Sequence, residues 1–335
     1  MSVRVAVMGT GSWGTSFGLV MADAGCEVAL WGRDAGLAED ITHRHENTRY
    51  HPGIELPPTM WASTDAASVL RGASVVVLAV PSQTLRDNLA AWVPMLEPDS
   101  VLVSLMKGIE LGTVKRMSEV IAEVAGVGPE RVAVVSGPNL AREIALRQPA
   151  ATTVACVDAD HAQRLQDACT TSFFRPYWTT DVLGVEIGGS VKNVIALANG
   201  MAAGMGFGEN SQASLITRGL AEMTRLGVAL GAEPITFLGL AGIGDLIATC
   251  SSPLSRNRTF GVSLGQGRSV EETIAHTNQT CEGVKSCQSI LDLATRAGVD
   301  MPITAQVVQV VHHGMAPRDM LAAFMSRETK AESAL

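Results

Sequence analysis

Short apolar runs recur through the first half of the chain, and most of them are rich in valine. The clearest runs cover residues 3–8, 27–31, 74–80, 101–105 and 131–135. Runs without strict alternation of apolar and polar residues indicate strands that are buried on both faces of a parallel sheet. Patterns with helical spacing separate these runs, for example in residues 13–24. The first half therefore predicts a doubly wound α/β domain, in which helices cover both faces of the sheet.

The pattern changes near residue 184, where valine-rich runs give way to Ala, Gly, Leu and Met at helical spacing. One apolar stripe predicts a helix and comprises Ile187, Val191, Val194, Ile195, Ala198 and Met201. Further helices are predicted in residues 215–230, 283–297 and 303–311. We therefore predict a first domain over residues 1–183 and a second, mainly α-helical domain over residues 184–335. The last residues, 327–335, are expected to fray.

Composition narrows the class of protein. The length of 335 residues suits two domains of about 150 residues each, and 47% apolar with 17% charged residues supplies a core and disfavours disorder. The net charge of −8 disfavours nucleic acid as a partner, although a few local cations suffice for a small anionic metabolite. No uninterrupted apolar stretch of about 18 residues occurs, so no membrane span is predicted. The six cysteines form no Cys-x-x-Cys pair and no secretory leader is recognised, which favours a reduced, cytoplasmic protein.

A glycine-rich turn follows the first predicted strand. It contains Gly9, Gly11 and Gly14, and it opens a predicted helix that leads into a second strand. In the dinucleotide-binding fingerprint the first glycine makes the tight turn, the second admits the pyrophosphate and the third packs helix against strand. The pyrophosphate lies at the helix N-terminus, where free N–H groups and the helix dipole favour anions. We therefore predict a Rossmann-like domain, with a ligand-free glycine turn as the alternative.

The end of the second strand bears on the choice of cofactor. Dinucleotide-binding domains commonly place Asp or Glu there to bind the adenine ribose, but this chain continues from Trp31 and Gly32 to Arg33 and Asp34. The Arg33 guanidinium could meet a 2′-phosphate or stack on adenine. Asp34 is expected to be a turn residue. NAD and NADP therefore both stay open as cofactors.

Two polar motifs follow predicted strands, where open α/β sheets bind their ligands. Lys107 lies in Ser-Leu-Met-Lys-Gly, directly after one strand; a solvated surface lysine is the alternative. Gly137 and Asn139 lie in Ser-Gly-Pro-Asn-Leu-Ala-Arg-Glu, after another strand and before a helix. Free N–H groups at the start of that helix could face a cofactor or substrate.

Lys192 lies within a predicted helix, in Gly-Gly-Ser-Val-Lys-Asn. Gly188 precedes it by one turn and Ala196 follows by one turn, so its face carries one cation among small residues. Each glycine costs a helix about 1 kcal/mol relative to alanine, which suggests that a ligand or a neighbouring segment approaches closely. The alternative is a lysine that extends to solvent.

The last motifs lie further along. A glycine-rich turn over residues 242–244 would present the carboxylate of Asp245. Ser255, Arg256 and Asn257 combine a guanidinium with small hydrogen-bonding side chains before a helix, which suits a phosphate monoester; an ordinary N-cap with an exposed arginine is the alternative. The histidine and cysteine spacings suit no metal site, and no hydrolase triad or nucleophile elbow is recognised.

In order and spacing, these motifs resemble the bacterial-type NAD(P)-dependent glycerol-3-phosphate dehydrogenases over almost the whole chain, from Gly9 to about Gly283. The motifs are GTGSWGTSFG, WGR, MKG, SGPNLAREI, VKN, AGIGDL, SRNRTFG and CEGV. The resemblance implies a Rossmann-like domain, a helical domain, an active site in the cleft between them and a homodimer. It also implies reversible hydride transfer between NAD(P)H and dihydroxyacetone phosphate, giving glycerol 3-phosphate for phospholipid synthesis.

The resemblance further implies roles for individual residues. The dinucleotide would be contacted by Ser12, Trp13, Arg33, Lys107, Ala141, Arg256 and Glu282 beside the glycines. The substrate would be surrounded by Lys107, Gly137, Asn139, Asp245, Ser255, Arg256 and Asn257, with Lys192 as proton donor and acceptor. The chain departs from many family members at two pairs: Asn139-Leu140 replaces Ser-Phe, and Thr280-Cys281 replaces an apolar pair. Neither departure removes a charged group.

Two other functions stay open. A related two-domain dehydrogenase of a β-hydroxy or keto acid would also use Arg256, because a carboxylate binds a guanidinium well. A non-catalytic NAD(P)-binding sensor would not need Lys192.

Catalysis requires that Lys192 can gain and lose a proton near neutral pH. The pKa of a free lysine is about 10.4. Burial of Lys192, the charge of Lys107 and the positive oxidised nicotinamide would each lower this pKa toward a useful range.

Overall fold

The computed structural model describes residues 3–277 and 281–325. The chain divides into two compact units. The first contains the chain up to Met106 and the segment Arg116–Val182, and the second contains Lys107–Lys115 and the chain from Leu183. The segment Lys107–Lys115 belongs to the second unit because Ile109 and Val114 pack into its core, whereas the sequence pattern placed that segment in the first domain. The expected frayed tail, residues 327–335, and Thr280 lie outside the described residues.

The first unit is built on an eight-stranded sheet with the order β3-β2-β1-β4-β5-β6-β7-β8. The strands are β1 Arg4–Met8, β2 Glu27–Trp31, β3 Trp61–Ser63, β4 Val75–Leu78, β5 Val101–Ser104, β6 Val132–Ser136, β7 Ala150–Cys156 and β8 Phe174–Thr179. All neighbours are parallel except β6 and β7, which are antiparallel. The predicted doubly wound fold class is therefore confirmed, and the sheet is mostly rather than wholly parallel.

Burial on both faces of the sheet explains the unbroken apolar runs. In β1, Val5 and Val7 pack into one apolar cluster, and Ala6 and Met8 pack into another, and all of them have 0% exposure. The sequence pattern missed β3, β7 and β8. Strand β8 lies at an edge and alternates, with exposed positions between buried ones, and β3 has only 3 residues.

Helices cover the sheet and form the second unit. In the first unit they are α1 Ser12–Asp23, α2 Ala35–Glu39, α3 Ala66–Leu70, α4 Leu85–Trp92, α5 Met117–Ala125, α6 Ala141–Ala145 and α7 Ala159–Ala168. From the unit boundary onward they are α8 Val182–Gly204, α9 Glu209–Ala229, α10 Pro234–Phe237, α11 Asp245–Ser251, α12 Arg256–Gly265, α13 Val270–Thr277, α14 Glu282–Arg296, α15 Pro302–His313 and α16 Pro317–Met325. The second unit is thus helical, as the spacing of its apolar residues predicted.

Helix α8 is the central helix of the second unit, and all six residues of its predicted apolar stripe are fully buried. It packs on α12 through glycines. A Cβ atom on Gly200 or Gly204 would lie 2.2 or 2.3 Å from a carbonyl oxygen of α12, and one on Gly261 would lie 2.2 Å from the Leu197 carbonyl oxygen. This contact between helix backbones holds the start of α12 close to α8.

One segment of the second unit, Pro234–Ser251, is long and apolar enough, with a mean hydropathy of 1.4, to cross a membrane on composition alone. It is not one regular helix. Helix α10 ends at Phe237, Gly242 has the non-helical angles φ −99° and ψ −105°, and α11 begins at Asp245, whose side chain is buried. The segment is therefore bent rather than one continuous helix, and it buries the Asp245 carboxylate within the second unit.

Candidate functional site

The glycine loop after β1 has the geometry that its motif predicted. Gly9 has φ +142°, and a Cβ atom there would lie 2.5 Å from the Ala79 carbonyl oxygen. A Cβ atom on Gly14 would lie 2.4 Å from the Gly9 carbonyl oxygen, so helix and loop are in backbone contact. At Gly11, by contrast, nothing lies within 4 Å of the Cβ position. Open space therefore remains beside Gly11, where a phosphate group could approach the backbone.

Helix α1 begins at this loop with the features of an anion-binding helix end. Gly11 is its N-cap and supplies no side-chain cap, and the first turn contains no acidic residue. Ser12 and Trp13 are half-buried at its first two positions. The free N–H groups of a first turn attract anions. The loop and helix together fit the pyrophosphate of a dinucleotide.

Arg33 and Asp34 follow β2, where Arg33 is exposed and Asp34 has a structural role. The Asp34 carboxylate caps α2 by accepting a hydrogen bond from the N–H of Leu37 at 3.1 Å. Asp34 is therefore a turn and cap residue, as predicted.

The Gly-Pro turn after β6 is held by the neighbouring strand β7. Gly137 has φ +153° and packs against Thr152, so that a Cβ atom would lie 3.1 Å from the Thr152 Cα. Asn139 Nδ2 donates to Thr152 Oγ1 at 2.9 Å, while Asn139 Oδ1 is buried and accepts no hydrogen bond from a described residue. Ala141 begins α6, and its carbonyl accepts from Ser16 Oγ at 2.7 Å. The Asn139 amide is therefore anchored to the Thr152 hydroxyl and leaves one buried acceptor without a partner among the described residues.

A buried cluster of charges occupies the second unit. Lys192 on α8 donates to Asp245 Oδ1 and, at 2.7 Å, to Thr249 Oγ1. Lys107 Nζ lies 2.7 Å from Asp245 Oδ2. The side chains of Lys192 and Asp245 are only 7% and 2% exposed, and that of Lys107 is 14% exposed. The alternative of a lysine extending to solvent is therefore wrong for Lys192.

This arrangement makes Lys192 able to exchange a proton near neutrality. Burial lowers the pKa of Lys192 from its ordinary value of 10.5 to about 7, because the charged form loses hydration. The Asp245 carboxylate opposes this by favouring the ammonium, and Lys107 adds to the lowering by repulsion. A group with a pKa near the working pH is suited to general acid–base catalysis.

Close backbone packing places Asp245 beside Lys192. A Cβ atom on Gly188 would lie 2.4 Å from the Ala241 carbonyl oxygen. The neighbouring segment that the small residues of α8 predicted is therefore the turn before α11. Because Gly188 precedes Lys192 by one turn, this contact brings the first residue of α11, Asp245, onto the lysine.

The side chains at the start of α12 differ in their burial and in their hydrogen bonds. Ser255 is the N-cap and accepts from the N–H of Arg258 at 3.2 Å, which leaves its hydroxyl proton free for donation. Arg256 is exposed and Asn257 is buried. Asn257 Nδ2 donates to Asn193 Oδ1 at 2.9 Å. The N-cap alternative is therefore correct for Ser255 and does not exclude ligand binding by its neighbours.

Asn257 belongs to a hydrogen-bond network that reaches the backbone of Lys107 through Asn193 and the backbone of α14 at Gly283. Asn193 Nδ2 donates to the Lys107 carbonyl oxygen at 3.3 Å. Asn257 Oδ1 accepts from the N–H of Gly283 and from Cys281 Sγ, each at 2.9 Å. Cys281, one of the departures from the family pattern, thus binds a predicted site residue through a thiol that an apolar side chain lacks. Glu282, at the first position of α14, is half-buried.

Sequence reasoning did not single out Asn193 and Thr249 as site residues. Asn193 directly follows Lys192, and Thr249 lies one helical turn after Asp245 on α11. The four-residue spacing of Asp245 and Thr249 was the available signal, since it places both on one helix face.

The comparisons with known proteins agree with the motifs. Models described as NAD-dependent glycerol-3-phosphate dehydrogenase N-terminus and C-terminus match residues 4–162 and 181–322. Proteins named glycerol-3-phosphate dehydrogenase (NAD(P)+) from Streptomyces griseus and Thermobifida fusca are 65% and 62% identical over 330 residues, 98% of each chain. The crystal structure of glycerol-3-phosphate dehydrogenase from Coxiella burnetii has a TM-score of 0.92 at 34% identity and covers 97% of this chain and 99% of its own. The chain therefore belongs to the NAD-dependent glycerol-3-phosphate dehydrogenase family.

Proposed function

We propose that the protein is an NAD(P)-dependent glycerol-3-phosphate dehydrogenase, which interconverts dihydroxyacetone phosphate and sn-glycerol 3-phosphate. The observation that carries the proposal is the buried Lys192, whose pKa of about 7 is set by burial, Asp245 and Lys107. The near full-length relatives that bear this name support the choice of substrate.

The dinucleotide, when bound, supplies the hydride donor or acceptor. Its pyrophosphate is proposed to bind the open backbone at Gly11, Ser12 and Trp13, at the N-terminus of α1. Gly9 and Gly14 allow the close packing that shapes this loop. Ala141, Lys107, Arg256 and Glu282 are proposed as further contacts, on the strength of the family motifs alone.

The proposed proton donor in reduction is Lys192. Negative charge builds on the ketone oxygen as hydride arrives, so the ammonium stabilises it by a hydrogen bond and then transfers a proton. In oxidation, neutral Lys192 takes the proton of the hydroxyl group. Asp245 holds the lysine nitrogen in place and keeps its pKa from falling further. A pKa of about 7 permits both directions near neutral pH.

The remaining site residues are proposed to bind the substrate. Lys107 and the exposed Arg256 supply positive charge for the phosphate and for the developing oxyanion. The substrate-binding set further comprises Gly137, Asn139, Asp245, Ser255 and Asn257. We also propose that the protein acts in the cytoplasm as a homodimer and supplies glycerol 3-phosphate for phospholipid synthesis, as the family resemblance implies.

The test is the absorbance of NADH and NADPH in the presence of dihydroxyacetone phosphate. Oxidation of either nucleotide that depends on this substrate is the expected result. Turnover with a β-keto acid instead of the phosphate would point to the related class of dehydrogenase. Nucleotide binding without turnover of any substrate would point to a sensor.

Arg33→Ala is expected to weaken NADPH binding more than NADH binding. The guanidinium stands exposed after β2, and the neighbouring acidic residue, Asp34, is used to cap α2. A charge-assisted hydrogen bond contributes about 1.5–3 kcal/mol, so the NADPH Kd should rise by about 10-fold or more. Fluorescence titration with both nucleotides measures this. Equal weakening of both would indicate that Arg33 stacks on adenine instead.

Arg256→Ala is expected to raise the KM for dihydroxyacetone phosphate by at least ~10-fold, since one charge-assisted contact to the phosphate is lost. The fold should be unchanged because Arg256 is exposed at the first position of α12. Arg268→Ala, an exposed arginine just beyond the end of the same helix, is the matched control. An unchanged KM in the Arg256 variant would place the phosphate elsewhere.

A further inference from the structure

Two buried polar side chains outside the motifs support the glycine loop from within the first unit. Asn47 and His51 each have 0% exposure. Asn47 Nδ2 donates to the carbonyl oxygen of Thr10 at 3.0 Å and to Thr15 Oγ1 at 2.8 Å. His51 Nε2 lies 2.8 Å from the carbonyl oxygen of Ser12. The two carbonyls also accept from hydroxyls of α1, Thr10 from Thr15 Oγ1 at 3.3 Å and Ser12 from Ser16 Oγ at 3.0 Å, and one short segment supplies the shorter contact to each.

The histidine must act as a donor through Nε2. A carbonyl oxygen only accepts, so the contact with Ser12 requires a proton on Nε2. Nδ1 of His51 is buried and has no hydrogen-bond partner among the described residues, so a proton there would leave a buried donor unsatisfied. Burial, followed by the charge of Arg142, lowers the pKa of His51, although the contact with Ser12 opposes this. The ring is thus neutral at neutral pH, with its proton on Nε2.

The direction of these bonds determines where the loop presents its N–H groups. In a trans peptide the N–H points opposite to the C=O of the same unit, and the described chain contains no cis peptide. When the Thr10 and Ser12 carbonyls turn toward Asn47 and His51, the N–H groups of Gly11 and Trp13 turn away from them. Neither N–H has an acceptor among the residues that the structure describes.

His51 also connects the loop to a second predicted cofactor contact. Ser16 Oγ lies 3.0 Å from His51 Nε2 and donates to the Ala141 carbonyl oxygen at 2.7 Å. Ser16, which lies against the imidazole, therefore links helix α1 to the start of α6.

We infer that Asn47 and His51 are positioning residues for the dinucleotide: they hold the Thr10 and Ser12 carbonyls inward, so that the Gly11 and Trp13 N–H groups face the pyrophosphate. The inference rests on the proposed function, because it assumes that the loop binds NAD(P)H. Asn47 and His51 touch the loop rather than the cofactor. Their loss should therefore weaken cofactor binding and leave the proton transfer at Lys192 intact.

The test compares His51→Leu with His51→Gln, since a glutamine amide can place a donor near the position of Nε2. His51→Leu is expected to raise the NADH Kd and KM by at least ~10-fold, because the Ser12 carbonyl loses its shortest side-chain donor and keeps the Ser16 hydroxyl at 3.0 Å. The kcat at saturating NADH and the KM for dihydroxyacetone phosphate should stay unchanged. His51→Gln should recover most of the affinity. Asn47→Leu should reproduce the loss, and His43→Leu, at an exposed position, is the matched control.

The outcomes separate the inference from the proposed function. Failure of the unaltered protein to bind NADH would overturn the proposed function. Normal binding by the unaltered protein together with normal affinity in His51→Leu and Asn47→Leu would overturn the inference alone, as would a fall in kcat without a rise in KM. If both variants fail to fold, 15N-histidine NMR of the unaltered protein decides: a proton on Nδ1 of His51 instead of Nε2 contradicts the proposed contact.

Discussion

Lys192→Ala is expected to lower the kcat of dihydroxyacetone phosphate reduction by at least ~100-fold, the usual loss when a general acid–base is removed. Fold and NADH binding should persist. Asp245 keeps Lys107 at 2.7 Å as its counter-charge, so the substitution leaves no isolated buried carboxylate. The small side chain also fits within α8, because alanine is the best helix former.

The pH dependence of kcat tests the same role of Lys192 as the general acid–base. In reduction Lys192 must start protonated, so kcat should fall as the pH rises through about 7. In oxidation it must start neutral, so kcat should rise through the same range. Both limbs should vanish in Lys192→Ala, whose residual rate no longer depends on this group.

Two further variants control the result. Lys192→Arg should not restore activity, because a guanidinium stays protonated: it neither gives up its proton in reduction nor accepts one in oxidation. Lys285→Ala, at an exposed position on α14, should behave as the unaltered protein. Steady-state kinetics beside an NADH titration measure all of these. A near-normal kcat in Lys192→Ala would transfer the role of proton donor to Lys107.

Asp245→Asn is expected to lower kcat for reduction at neutral pH by about 5-fold or more and to move its pH profile to lower pH. The carboxylate raises the pKa of Lys192 against the effect of burial. A neutral amide lacks that attraction, so the pKa of Lys192 falls, by about 1 unit or more for an opposite charge at contact distance. Less lysine is then protonated at pH 7, and the rate of proton donation drops.

A stability loss accompanies this variant, since Lys107 and Lys192 lose their shared counter-charge in a buried site. The shift of the pH profile distinguishes the catalytic effect, because unfolding lowers the amount of active protein without moving the profile of what remains. Asp160→Asn, an exposed residue of α7, is the control. An unmoved profile in Asp245→Asn would mean that Asp245 does not tune Lys192.

Where the physical requirement is local, the sequence predicts the site directly. Gly9 needs a positive φ and, like Gly14, leaves no room for a Cβ atom, so only glycine satisfies the loop, and its spacing identifies a dinucleotide fold. The unbroken valine runs likewise predict a sheet covered on both faces, because each run must satisfy two apolar clusters at once. Lys192 stands out for a similar reason, as one cation on a face of small residues.

Contacts between distant residues were decided by the tertiary structure alone. Lys192 binds Asp245, 53 residues away, and Asn47 binds Thr10, 37 residues away. Periodicity reports that a face is buried but not which partner buries it, so periodicity predicts neither the shared carboxylate of the two lysines nor the support of the glycine loop. The same limit explains the edge strand β8 and the segment Lys107–Lys115. The apolar residues of both segments can be recognised in the sequence, but only the packing in the tertiary structure shows which elements they contact.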